Sequence, residues 1–265
     1  MPRSSNGGPR PGPIPRALSG FGSQQPKPHR VRIFNQEEAM QERTSSLRIA
    51  DAESPQHFCE LGVLLLDGSG SMLAKTSDQV TKAEATAKAT RELFDRFKNR
   101  SRIPRNFRFA LITYDHQPTP IIDPPVAAKQ LDEHGDYNPV HGHGGGTRIW
   151  KALEEAERIV GQFLAGAPKD GIPYRAVILL MTDGLCNQPD RTRDTARRIK
   201  ERFGSSVTIA GAFFSSGDSF EQAGAQLLRE IVDDPELYFA TVTTGDQLRD
   251  FFTRSLSTAS GVIVV

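Results

Sequence analysis

Residues 61–71 read Leu61-Gly62-Val63-Leu64-Leu65-Leu66-Asp67-Gly68-Ser69-Gly70-Ser71. The first six form a short continuous apolar run, the pattern of a strand covered on both faces. The next five set three oxygen side chains two residues apart with glycine between them. Glycine permits a tight backbone in which all three oxygens turn inward.

Further along the chain, apolar patches alternate in period. Val80, Ala83, Ala87, Thr90, Phe94 and Phe97 recur at steps of three and four and mark one face of a helix. Ser77 or Asp78 is its expected cap, and Pro104 closes the region. Phe107 to Tyr114, rich in aromatic and β-branched residues, predicts a second strand. Ile121 and Ile122, fenced by Pro118, Pro120, Pro124 and Pro125, predict a short edge strand. A loop containing His141-Gly-His-Gly-Gly-Gly146 leads into a helix starting near Thr147, with Ile149, Leu153, Ala156, Val160 and Phe163 in phase. Strands are then expected at Ala176–Met181, Val207–Phe214 and Leu237–Val242. Helices are expected around Ala196–Phe203, Leu227–Ile231 and Leu248–Leu256. Strands alternating with helices predict a three-layer α/β fold, with a doubly wound, mostly parallel sheet and one antiparallel edge strand. In such sheets ligands sit beyond the carboxyl ends of the strands, where strand order reverses.

That rule selects three loops. The first carries Asp67, Ser69 and Ser71. The second presents Thr147 directly after three glycines. The third is Thr182-Asp183-Gly184, at the end of a predicted strand. Carboxylates and hydroxyls are hard donors suited to Mg²⁺, Mn²⁺ or Ca²⁺. The pattern resembles a von Willebrand factor type A domain carrying a metal-ion-dependent adhesion site (MIDAS). That site is written Asp-x-Ser-x-Ser, then a Thr, then an Asp. Asp67, Ser69, Ser71, Thr147 and Asp183 match it position by position, and the resemblance covers about residues 58–257. It implies a divalent ion touched by Ser69, Ser71 and Thr147, with Asp67 and Asp183 holding it directly or through water. It also implies a coordination position left for a partner's Glu or Asp. The chain is similar to short intracellular microbial members of the family, including tellurite-resistance-like proteins. By that analogy it is a cytoplasmic, non-enzymatic module in a multi-component assembly, whose partners include kinases, phosphatases or AAA-type ATPases.

Composition sets limits on these readings. The chain has 265 residues, with 33 Lys plus Arg against 32 Asp plus Glu. A balance so near neutrality argues against a dedicated nucleic-acid binder. No apolar run is long enough to span a bilayer, and the first residues lack the apolar core of a secretory signal. Two cysteines, Cys59 and Cys186, are too few for a disulfide framework. Residues 1–32 hold six Lys or Arg, no Asp or Glu, and seven prolines. They are expected to be a disordered basic arm. Residues 33–57 are transitional, 58–257 the folded domain, and 258–265 a tail with an apolar end.

Competing chemistries can be tested on the same residues. Gly68-Ser69-Gly70 lacks the Gly-x-Ser-x-Gly spacing of a nucleophile elbow. Gly146 is followed by Thr147 and Arg148, so no P-loop forms, and Thr147 stands where a dinucleotide fingerprint needs its last glycine. Ser69 or Ser71 as an activated nucleophile has no evident base–orienter pair. A metal-dependent hydrolase or phosphatase on the same loop, and nucleic-acid binding through the arm, remain the alternative readings. His134, His141 and His143 with Cys186 are a candidate zinc cluster or, alternatively, rim residues. Arg191, Arg193, Arg197, Arg198, Lys200 and Arg202 crowd one helix, either as a solvated face or as an acidic-partner contact.

Overall fold

The apolar run is strand β1, Cys59–Asp67, buried along its whole length. Its side chains alternate between two cores. Leu64 and Leu66 enter one, and Leu61, Val63 and Leu65 enter the other, as period-two geometry requires. The computed structural model describes residues 57–76, 78–168, 171–217 and 222–262. The arm at 1–32, all but residue 57 of the 33–57 segment, and the last three residues lie outside the described residues.

Helix α1 spans Lys82–Asp95 and continues as a π-helical turn at Arg96–Arg100. Its N-cap is Thr81, in a reciprocal capping box with Glu84, and neither Ser77 nor Asp78. A Ser/Thr with Glu three residues on satisfies two helix N–H donors at once, and only Thr81 has that partner. Strand β2, Phe107–Tyr114, pairs parallel to β1. Strand β3, Pro118–Ala127, is antiparallel to β2 and ten residues long, well beyond the short segment expected from Ile121-Ile122. It tolerates four prolines because it is the sheet edge, where half the N–H groups need no ladder partner. Register shifts beside Leu111 absorb the irregularity.

Helix α2 is Ile149–Ala165, β4 is Tyr174–Thr182, α3 is Pro189–Phe203 and β5 is Val207–Phe214. Helix α4, Gln222–Ile231, is followed by a single turn, α5, at Pro235–Tyr238. Strand β6 is therefore only Phe239–Val242, two residues shorter at its start than the apolar pattern suggested. Asp234 caps α5 and Pro235 opens it, which draws Leu237 and Tyr238 out of the strand. Helix α6, Gly245–Ser260, runs three residues beyond the expected domain limit at 257 and takes in the start of the tail.

The sheet order is β3-β2-β1-β4-β5-β6, parallel except for β3. Helices α1 and α6 cover the face that holds Phe94, Leu248 and Phe252. Helices α2, α3 and α4 cover the other, with Leu153, Ile199 and Leu228. From β1 the chain winds outward to β2 and β3. From β4 it winds the opposite way to β5 and β6. Order reverses between β1 and β4, and the crevice at their carboxyl ends is the switch point.

Candidate metal centre

Asp67 is the last residue of β1 and Thr182 the last of β4. Leu66 pairs with Met181, so the two strand ends lie side by side. The Thr182 hydroxyl donates to Asp67 Oδ2 across this step. Asp67 Oδ1 accepts from the Ser69 N–H at 2.8 Å, which folds the loop back over the strand end. Burial pushes the Asp67 carboxyl up to about 7, against the lowering effect of these hydrogen bonds, and the nearby Asp183 charge adds to the rise.

The remaining donors converge from the other loops. Ser69 Oγ and Ser71 Oγ are 3.0 Å apart. The Ser71 hydroxyl donates to Asp183 Oδ1 at 2.6 Å. A Cβ placed on Gly184 would sit 3.4 Å from Thr147 Oγ1 and 3.5 Å from Ser71 Oγ, so both hydroxyls face the same spot. Thr147, Ser69, Asp67 and Asp183 are buried, whereas Ser71 is exposed at the mouth. Exposed Leu73 and Leu185 stand two residues beyond Ser71 and Asp183 in the chain. All five expected residues are thus brought together as an all-oxygen set. That chemistry fits a hard divalent cation.

The second loop is held in place from beneath. A Cβ on Gly68 would meet the Pro139 carbonyl oxygen at 2.0 Å, so only glycine lets the first and second loops touch. Asp115, just after β2, anchors the second loop. Its carboxylate accepts from the N–H groups of Gly145 and Gln117, both at 3.0 Å. His143 Nδ1 lies 3.3 Å and His116 Nδ1 3.0 Å from it. Burial alone would raise this carboxyl. The two N–H donors and the two imidazoles outweigh it and hold the group well below the usual carboxylate range.

The histidines do not gather into a zinc site. His143 is tied to Asp115 and, at 2.9 Å, to Thr113. His141 faces Asp136 at the surface, and Cys186 is buried against Thr192. Among the described residues no group of three or more His, Cys, Asp or Glu could hold a metal ion. The basic helix, α3, is largely neutralised. Arg198 and Arg202 both bind Glu157, Arg193 binds Asp190 and Glu230, Arg197 binds Asp194, and Lys200 faces Asp233. Arg191 lies over the Trp150 ring.

A von Willebrand factor type A domain model matches residues 63–254. The chain belongs to this family. Solved structures share the vWA fold. The vWF domain of the type V pili tip protein Mfa5 from Porphyromonas gingivalis superposes with a TM-score of 0.57 at 13% identity, over 78% of this chain and 97% of that one. The pilus adhesin SpaC from Lactobacillus rhamnosus GG gives 0.60 at 12% identity, over 80% of this chain and 31% of that one. Proximal thread matrix protein 1 from the mussel byssus, with a zinc-occupied MIDAS motif, gives 0.50 at 18% identity, over 77% and 46%. The chain thus spans about a third of SpaC and under half of the mussel protein. At these identities the likeness is one of fold. No curated protein matches the chain. No helix among the described residues is long and apolar enough to cross a membrane.

Three residues of this vWA site escaped the sequence reading as contributors. Thr182 and Asp115 each stand at the carboxyl end of a strand, and that position was the signal available for both. Lys82 is the third. Its ammonium reaches Asp183 Oδ2 at 3.1 Å, and nothing in the sequence distinguishes it from a solvated helix lysine.

Proposed function

We propose that this vWA domain is a divalent-metal-dependent protein-binding module. Asp67, Ser69, Ser71, Thr147 and Asp183 would hold Mg²⁺, Mn²⁺ or Ca²⁺, and a partner protein would supply a Glu or Asp. The observation that carries this reading is the convergence of five oxygen side chains from three loops at the switch point of the sheet. When bound, the ion supplies a Lewis-acidic centre for a carboxylate. The chain's own residues arrange the rest. Thr182 and the Ser69 N–H orient Asp67. Asp115 fixes the loop that delivers Thr147. Exposed Leu73 and Leu185, two residues from Ser71 and Asp183 in the chain, would offer apolar surface to a partner. The Ser69 and Ser71 hydroxyls bond each other and Ser71 donates to Asp183, so these groups face one shared centre. That the structural neighbours include a pilus adhesin and a pilus-tip protein, and that the mussel protein has a zinc-occupied motif, support the same reading.

Two measurements test it. Mg²⁺ or Mn²⁺ should raise the melting temperature of the wild type, since a ligand bound only by the folded state stabilises it. Asp67→Ala should abolish that rise, and unchanged metal binding in this variant by calorimetry refutes the site. A partner captured from lysate on the immobilised domain should be released by EDTA and not by moderate salt.

A further inference from the structure

Lys82 is out of place by every local rule. It is the first residue of α1, where the helix dipole is positive and cations are disfavoured. Its side chain is 3% exposed, and the carboxylate it meets, on Asp183, is 0% exposed. Taking a lysine ammonium out of water at a helix N-terminus costs free energy unless a compensating charge is held close to it. Here that charge comes from the candidate metal centre. Asp183 is shared between the first loop and α1, with Oδ1 taking the Ser71 hydroxyl and Oδ2 the Lys82 ammonium. The backbone ties Lys82 to the first loop as well, because its N–H donates to the Ala74 carbonyl at 2.9 Å. The ammonium is therefore fixed from both ends of the side chain.

We infer that Lys82 is a tethered counter-ion of the metal centre, which holds Asp183 in its ligand position when no metal is bound and weakens metal binding by its charge. The inference rests on the metal reading of the previous subsection. An ammonium beside Asp183 repels a dication that shares this carboxylate, so metal affinity is lower than the donor set alone would give. With a dication bound, the ammonium leaves the site more positive than the ion and the two carboxylates alone would, which favours an anionic side chain. Lys82 is accordingly a positioning residue that acts through Asp183.

The test compares the full-length wild type with Lys82→Met, which keeps the length of the stem and removes the charge. Mn²⁺ titration by calorimetry should show Lys82→Met binding about tenfold more tightly or better. In EDTA its melting temperature should fall below that of the wild type, and Mn²⁺ should raise it by more. A purely structural lysine predicts the opposite, a variant that binds metal more weakly. Equal or weaker Mn²⁺ binding by Lys82→Met, with wild-type binding intact, overturns this inference alone. A wild type that shows neither heat nor a melting shift with Mn²⁺ or Mg²⁺ overturns the metal reading itself. Should Lys82→Met fold only with Mn²⁺, the ion has replaced the ammonium and the inference stands. Should it fold under neither condition, the double variant Lys82→Met/Asp183→Asn decides. Recovery of its fold in EDTA shows that the unpaired Asp183 charge was the cause, and no recovery overturns the inference.

Discussion

Glu60 lies in β1, seven residues before Asp67 and at the opposite end of the strand from the candidate metal centre. It is 0% exposed, and neither carboxyl oxygen has a hydrogen-bond partner among the described residues. Arg175 is its neighbour on β4 but is exposed, so its charge is screened. Burial pushes the Glu60 carboxyl from 4.5 up to about 8, with Arg175 opposing. The unfolded chain ionises near 4.5, whereas the folded one keeps its proton until about 8. The folded state therefore binds more protons throughout that window, and stability falls as pH rises through it. The slope is at most about 1.4 kcal/mol per pH unit, or roughly 3–5 kcal/mol over the window. Glu60→Gln replaces the protonated carboxyl by a neutral group of the same shape. Urea unfolding of both proteins at pH 5, 6, 7 and 8 isolates the effect, because every other titrating group cancels in the difference. The variant should match the wild type within about 1 kcal/mol at pH 5 and exceed it by several kcal/mol at pH 8. A difference that stays flat with pH, or a wild type favoured at pH 8, refutes the argument.

Gly68→Ala forces a methyl against the Pro139 carbonyl. It should cost about 1–3 kcal/mol in urea melts and weaken Mn²⁺ binding, because the first two loops must separate. Asp115→Asn removes the charge that gathers two N–H donors and two imidazoles. A loss of about 1–3 kcal/mol is expected, together with faster hydrogen exchange at Gly145 and Gln117; unchanged exchange there argues against an anchoring role. Thr147→Ala removes one neutral hydroxyl from a loop of its own. It should weaken Mn²⁺ binding less than Asp67→Ala does when both are titrated by calorimetry.

The part of the site carried by short-range pattern was legible in the sequence. Asp67, Ser69 and Ser71 follow an apolar run, and Asp183 follows another, so strand ends could be placed without knowing how the strands pair. Contacts that depend on pairing were not legible. Thr182 reaches Asp67 only because β1 and β4 are neighbours, and Lys82 reaches Asp183 across 101 residues. The edge strand β3 was underread because its prolines suppress a strand signal that the antiparallel edge position then tolerates. The charge on α3 divides in the same way. Asp190 and Asp194 sit three residues before Arg193 and Arg197, a spacing that marks their pairing. Glu157, the shared partner of Arg198 and Arg202, comes from α2 and is visible only once the helices pack.

The two edges of the sheet bear on whether further strands can add to it. An exposed strand edge is a template onto which any extended chain can add, and a long regular edge invites self-association. Here one edge is β3, whose Pro118, Pro120, Pro124 and Pro125 have no N–H to offer and whose pairing to β2 is already irregular. The other is β6, only four residues long, with the α5 turn directly before it and α6 starting within three residues of its end. Neither edge presents an unbroken row of free donors and acceptors. Strand addition is thereby discouraged at both sides of the sheet.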